Sequence, residues 1–445
     1  MRLSTRRAYY LVTSLNWFGA VLPMAVMVLL AQSRGLGLAE VGLFMGLYSI
    51  VVAVLELPSG ALADKMGRKR AYILGGLLSA LARGVFLLAF DLTAFMAFAV
   101  VLGASRALTS GALEAWFIDA LQMEDPATDL QPELAAAGSY QLAALAIGTL
   151  LGGALPTLFS FLPSEGIVTP LAMPLVVSVG VQLLASGMAW LLIREERSAH
   201  DPGTARVGPS LRFDAVFSHA GSAVATVVKS PRLRLLLLVD VVIGAVLAGS
   251  ENLWQPFFAA LLPGDDVAAG GGTLALGVVL GGSFGVGILG NVVATQLSRA
   301  VGKRHALVSA IFQVAQGAAF VFLALSGRFL LATGLFWLTY LTRSGWSSPH
   351  SSLFHREVTP DRRTVMLSAQ SLAGFAGAFV GSVALGALAE ATSIGTAWIV
   401  AGAAVATCAL PYLILDARAR RGQGSEGAET PVPSPQDLAR GAGNA

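Results

Sequence analysis

The residues of this chain able to do chemistry are ionisable side chains set inside long apolar runs. Arg106 and Glu114 share one run, Asp240 and Glu251 another, Arg343 and His350 a third, while Asn16 and Trp17 stand in the first. An ion in hydrocarbon costs roughly 2.5–3.5 kcal/mol on insertion scales, so each needs a partner or water and is a functional suspect. The chemistry open to such groups is taking and releasing protons or holding charged solutes, because burial shifts the protonation of an acid toward neutral pH. Arg106 and Glu114 are eight apart, ~80° around a continuous helix and ~12 Å along it. Asp240 and Glu251 are eleven apart, ~20° off one face and ~16 Å along the axis. Each also has a plain structural reading: Arg106 and Glu114 pairing with a neighbouring helix, Asp240 pairing with Arg232 or Arg234, Glu251 sitting near a helix end.

Those positions require membrane helices around them. The chain has 445 residues, 55% hydrophobic and 12% charged, with mean hydropathy +0.71, against about 25% charged in soluble domains. One span uses ~20 apolar residues. Hydropathy predicts twelve: 8–31, 39–63, 71–90, 92–122, 133–160, 170–193, 233–262, 273–298, 306–326, 328–350, 363–389 and 394–415. The first run is too long for a signal peptide. With the N-terminus inside, 24 of the 29 Lys and Arg fall in inner segments and two in outer loops. That bias sets the orientation and predicts a multi-pass protein of the inner (cytoplasmic) membrane with both termini cytoplasmic. Residues 1–193 are expected to form one six-helix bundle and 233–416 a second. Between them, 194–232 reads as a cytoplasmic linker with an amphipathic helix carrying Val216, Phe217, Ala220, Val224, Val227 and Val228. Residues 417–445 read as a disordered tail.

The halves repeat. Ser139, Gln141, Gly148 and Gly152 recur as Ser368, Gln370, Gly377 and Gly381 at an offset of 229, and Arg106 recurs as Arg343 at 237. The fold class is therefore all-α, with twelve transmembrane helices in two pseudo-symmetric bundles, and paired halves place a solute site between them near the midplane.

Gly60-Ala61-Leu62-Ala63-Asp64-Lys65-Met66-Gly67-Arg68-Lys69-Arg70, between spans 2 and 3, resembles the signature loop of the major facilitator superfamily. Asp64 and Arg68 are four apart and positioned to pair. The resemblance implies a conformational gate of Gly60, Asp64, Gly67 and Arg68, with Asp64 facing the start of span 11 and Arg68 meeting Asp119 at the end of span 4. It also implies that spans 1, 4, 7 and 10 line a central cavity, which makes Asn16, Trp17, Arg106, Glu251, Trp254, Arg343, Trp346 and His350 cavity candidates. Glu114, Asp240, Glu251 and Arg106 are the proton-coupling candidates. Gly148-Thr149-Leu150-Leu151-Gly152-Gly153 is similar to the span-5 motif of proton-driven drug exporters, with Thr149 in place of its proline. Gly148, Gly152 and Gly153 serve equally for close helix packing.

The expectation is a secondary transporter working by alternating access, coupled to protons and exporting small amphipathic compounds. An importer of a small nutrient or organic anion is the alternative, clamped by Arg106 and Arg343. A receptor or scaffold on the same fold is a third reading. No enzyme activity is expected, and no Walker loop for ATP occurs. His350 and His355 are five apart, wrong for a same-face metal pair, and no metal site or cofactor is expected. The expected partners are a small-molecule substrate and the lipid bilayer, not nucleic acid, and the expected state is a monomer.

Overall fold

The computed structural model describes residues 3–195, 230–262, 267, 269–358 and 363–426; for Leu57, Ala61, Asp64, 363–365 and 419–426 it describes backbone only. The predicted amphipathic helix of the linker lies outside these residues. Among them all regular structure is helical. Ten helices are long and apolar enough to cross a membrane, and a bent pair makes eleven. The remaining helix, Phe329–Arg356, has the length at 28 residues. Its Arg343, His350 and run of Ser and Thr lower its hydropathy, and the polar side chains Thr339, Thr342 and His350 are buried inside the protein. It is the tenth span.

Four spans are interrupted, the first at a proline and the fourth at a glycine. The first comprises Thr5–Val21, a tight turn at Leu22–Ala25 containing Pro23, and Met27–Ser33, bent by 44°. The fourth breaks between Leu92–Thr109 and Ala112–Glu124 at Gly111, whose φ of 71° suits glycine. The ~80° relation expected between Arg106 and Glu114 assumed an unbroken helix and does not hold. The seventh comprises Pro231–Glu251 and Trp254–Ala260, and the twelfth Ile394–Thr407 and Ala409–Glu426. The last helix runs ten residues past the expected start of the tail at 417.

The unbroken spans are Leu38–Met66 (second), Arg68–Leu88 (third), Leu130–Leu158 (fifth), Met173–Leu192 (sixth), Thr273–Ala300 (eighth), His305–Ala324 (ninth) and Arg363–Ala391 (eleventh). Packing repeats with the sequence. Span 1 packs on 5 and 6, span 4 on 2 and 3, and span 3 on 6; correspondingly span 7 packs on 11 and 12, span 10 on 8 and 9, and span 9 on 12. Between the halves, span 2 meets 11 and span 5 meets 8, which are again equivalent pairs. The all-α, two-bundle architecture is thus a pseudo-two-fold arrangement.

Candidate functional site

The end of the molecule carrying the Lys- and Arg-rich loops is here called the basic end. At it, Gly67 (φ 99°) stops the second span and Arg68 opens the third. The turn takes Asp64 and Arg68 off a common helix, so the i, i+4 geometry expected of the pair does not apply. Arg68 instead ion-pairs with Asp119 on span 4, and its backbone N–H donates to Glu195 Oε1 at 2.7 Å. The Asp64 side chain lies outside the description. Gly60 is exposed, with open space where a Cβ would stand. The other ion pairs described at this end also stay within one half: Arg6 with Glu133 and Glu124, Arg232 with Glu357, and Arg304 with Asp416.

At the opposite end the halves are joined. Gln255, in the short helix after the span-7 break, accepts from Val28 N–H at 2.8 Å and donates to Met24 O at 3.0 Å, both in the broken first span. Glu390 accepts from Ala39 N–H at 2.8 Å, placing a carboxylate at the N-terminus of span 2. Thr273 donates to Gly153 O at 2.8 Å. A Cβ on Gly153 would lie 2.7 Å from Gly277 Cα, so spans 5 and 8 touch backbone to backbone. Gly148 and Gly152 do the same toward Phe18 and Leu22 of span 1. All three glycines of the exporter-like segment are engaged in packing.

Between the ends, the C-terminal half holds two polar clusters. The first lies nearer the basic end. Asp240 (9% exposed) on span 7 is 3.0 Å from His350 Nε2 on span 10, and His350 (2%) places Nδ1 2.7 Å from the Tyr412 hydroxyl on span 12. Trp346 Nε1 donates to that hydroxyl at 2.6 Å and its ring stacks on His350. Gln370 on span 11 donates to both Asp240 oxygens at 3.1 Å. One proton arrangement satisfies every group: Trp346 N–H to Tyr412 O, Tyr412 O–H to His350 Nδ1, His350 Nε2–H to Asp240. A further proton has a place on His350 Nδ1, with the Tyr412 hydroxyl turning from donor to acceptor. Asp240 therefore answers to His350, not to Arg232 or Arg234, because its side chain points inward to span 10.

The second cluster is Glu251, Tyr340 and Arg343. The Tyr340 hydroxyl donates to Glu251, and Arg343 lies close enough to attract it. They line a cavity of ≈ 20 Å³ with Gln316 and Phe320, close to the room one water needs. Asp240 and Glu251 do lie on one helix as expected, but they enter different clusters.

The N-terminal half is different. Asn16 accepts from Gln182 at 3.2 Å, Gln182 donates to Ser79 at 3.0 Å, and buried Arg83 donates to Ser79. Arg106 and Glu114 are exposed and make no ion pair among the described residues. Trp17 is half-buried. Trp254 and Trp346 do not line an open cavity: Trp254 (1%) packs against Phe258 and Phe336, and Trp346 is held by Tyr412 and His350. His350 is equally enclosed. No cluster of three potential metal ligands occurs among the described residues. Gly281-Gly282-Ser283-Phe284-Gly285 has the spacing of a nucleophile elbow, yet it lies mid-helix, with Ser283 donating to Leu280 O at 2.6 Å.

Sequence reasoning passed over Gln255, Glu390, Tyr340, Tyr412 and Gln182. Each is a neutral or terminal polar residue that hydropathy alone does not mark. Gln370 appeared only as a repeat match, and a polar side chain kept in two equivalent spans was the signal available.

A sequence model of the Major Facilitator Superfamily matches residues 9–354. No curated protein sequence matches the chain. Among solved structures it is similar to the nucleoside transporter NupG, at TM-score 0.71 and 13% identity over 93% of this chain and 99% of that one. A POT family transporter in complex with a thioalcohol-conjugated peptide gives 0.67 and 12% over 93% and 96%. A bacterial homologue of the human lysosomal transporter Spinster, inward-facing and occupied, gives 0.70 and 16% over 93% and 96%. These likenesses are of fold.

Proposed function

The chain belongs to the major facilitator superfamily, and from that premise we propose that it is a secondary transporter coupling the movement of a small organic solute to protons. The family and the similar structures are transporters, not enzymes. The observation that carries the coupling is the Asp240–His350–Tyr412 chain: a carboxylate and an imidazole, both buried, in hydrogen-bond contact and built from three different spans. Adding or removing a proton there changes the bonds between spans 7, 10 and 12, which is how a proton biases one packing over another. Most of the described cross-half hydrogen bonds lie opposite the basic end, with Ser371 donating to Glu56 at 2.8 Å between spans 11 and 2 as the one set toward it, and the ion pairs at the basic end stay within one half; this distribution supports a form closed opposite the basic end. With that end in the cytoplasm, as the charge bias indicates, this form opens inward. The Arg68–Asp119 pair then acts within its own half, and its gating partner is the segment around Asp64.

Export of amphipathic compounds rests on Trp17 and on the Gly148–Gly153 segment. A second reading, a small hydrophilic solute with an anionic group, is favoured by Arg106, exposed on span 4 without a carboxylate partner among the described residues. The solutes named with the similar structures, nucleosides and peptides, make the first panel to try.

One proton entering supplies ~1.4 kcal/mol per pH unit and ~2.3 kcal/mol per 100 mV. In proteoliposomes with an imposed pH gradient, the wild type is expected to accumulate solute against its gradient. Asp240→Asn, which keeps the shape but removes the charge and turns one acceptor oxygen into a donor, is expected to lose accumulation while keeping solute exchange. Gradient-driven accumulation in Asp240→Asn at the wild-type level sinks the assignment; a wild type indifferent to pH sinks the coupling itself.

A further inference from the structure

Span 9 carries a row of polar groups that none of the foregoing uses. His305, Ser309, Gln313 and Gln316 are spaced four, four and three apart in an otherwise apolar helix. That spacing puts them on one face, over a rise of ~16 Å. Ser309 and Gln313 are 0% exposed and Gln316 5%. Ser309 Oγ, both amide atoms of Gln313, Gln316 Oε1 and His305 Nδ1 have no hydrogen-bond partner among the described residues. Each such group left dry costs ~1–3 kcal/mol. A mixed row of donors and acceptors with no protein partner is what buried water satisfies.

The two ends of the row give it a direction. Gln316 lines the small cavity of Glu251, Tyr340 and Arg343. His305 stands at the basic end with Lys303 beside it and Arg356 facing it from span 10, and the adjacent Arg304 is held by Asp416 of span 12.

We propose that this face of span 9 binds a file of water molecules that carries protons between the basic end and Glu251, apart from the route taken by the solute. The proposal rests on the proton-coupled reading and adds a second proton site to it. A proton enters as hydronium near His305. At each water one O–H bond forms and another breaks, and the last proton forms an O–H bond on the free oxygen of Glu251. That neutralises the carboxylate and ends its attraction to Arg343, while the bond donated by Tyr340 to the other oxygen is kept. The glutamines carry no proton themselves; they orient the waters.

Two measurements on the full chain in lipid nanodiscs test this without a known solute. Radiolytic hydroxyl labelling, read by mass spectrometry, reports water beside Phe320, which is 4% exposed and lines the cavity. Phe320 is expected to be labelled in the wild type and at least about fivefold less in Gln313→Leu, which removes the polar atoms at similar volume. Infrared spectroscopy after a pH jump follows the carboxyl band of Glu251, identified by its loss in Glu251→Gln. Its rise is expected to slow at least about tenfold in Gln313→Leu with unchanged amplitude. Ser309→Ala, a gentler change, is expected to show both effects to a smaller degree and covers the case of a misfolded Gln313→Leu. An unlabelled Phe320 in the wild type, or a Glu251 band rising at the wild-type rate in both variants, overturns the water file. Failure of the coupling reading is registered separately, by accumulation in Asp240→Asn.

Discussion

Gln255 offers a direct test of what keeps the two halves together. It is 3% exposed and spans the interface opposite the basic end with two hydrogen bonds, to Val28 N–H and Met24 O. Leucine at this position has nearly the same length and no polar atom. In the closed form, Gln255→Leu leaves both backbone groups unpaired; once that end opens, water reaches them. The substitution therefore acts on one conformation only. Two bonds at a net ~0.5–1.5 kcal/mol each amount to about 1–3 kcal/mol. At 1.4 kcal/mol per tenfold, the open population rises about 5- to 150-fold relative to the closed one. Cys408, the chain's single cysteine, is buried, so spin labels go on at chosen sites with little background. Labels at Ile167 and Leu330, exposed on the two halves at this end, report the opening as a longer distance in pulsed electron resonance. A folded Gln255→Leu whose distance distribution superimposes on the wild type would refute the claim that these bonds hold the end closed.

Three further outcomes follow from the same geometry. Gly153→Val forces spans 5 and 8 apart, since even a Cβ falls 2.7 Å from Gly277 Cα and Thr273 O. Overpacking of about 1–3 kcal/mol is expected to shift the Ile167–Leu330 distances in the same direction as Gln255→Leu. Tyr412→Phe strips the acceptor of Trp346 and the donor to His350; thermal unfolding is expected to show a loss of about 1–3 kcal/mol. For Arg68 and Asp119, whose side chains are 30% and 58% exposed, a double-mutant cycle on stability is expected to give a coupling below about 1 kcal/mol. The proposed gating role is checked by the same labels, with Asp119→Asn expected to shift the Ile167–Leu330 distance distribution.

What could be read from the sequence followed from hydrocarbon thickness and charge. Twelve apolar runs, the doubled offset and the Gly67 turn led to the bundle architecture, because lipid leaves few ways to satisfy a backbone. Asp240 and Arg68 were recognisable for the same reason: ions in or near apolar runs stand out. Their partners were not. Asp240 meets His350 110 residues away, and Gln370 130 residues away, and nothing local announces a contact between spans 7, 10 and 11. Tryptophan misled for a related reason. Trp254 and Trp346 were assigned to a cavity from their spans alone, but a helix has several faces, and theirs turn into the C-terminal half. The breaks at Gly111 and Asn252 were invisible to hydropathy, and so were the registers they interrupt. Neutral polar groups such as Gln255 and Gln313 carry no charge signal, although the four-four-three spacing on span 9 was there to be read.

The packing graph is symmetric, but the chemistry placed on it is not. In the N-terminal half, the deeply set polar network of Asn16, Gln182, Ser79 and Arg83 contains no acid and no imidazole. Its hydrogen bonds run between the neutral side chains of Asn16, Gln182 and Ser79, with the Arg83 guanidinium donating to Ser79, and they tie spans 1, 3 and 6 together. In the C-terminal half, Asp240 with His350 ties spans 7 and 10, with Tyr412 and Gln370 bringing in 12 and 11; Glu251 with Tyr340 ties 7 and 10 again. Both acids sit on the one span that also carries Gln255, the clamp on the opposite half. A protonation event in either cluster therefore bears on the same rod, Pro231–Glu251, whose far end leads through Asn252 and Leu253 into the closed interface. On the proposed coupling, protonation in the C-terminal half reaches the closed interface through span 7 itself. This requires only that span 7 have two seatings in its own half, one of them incompatible with the hydrogen bonds of Gln255.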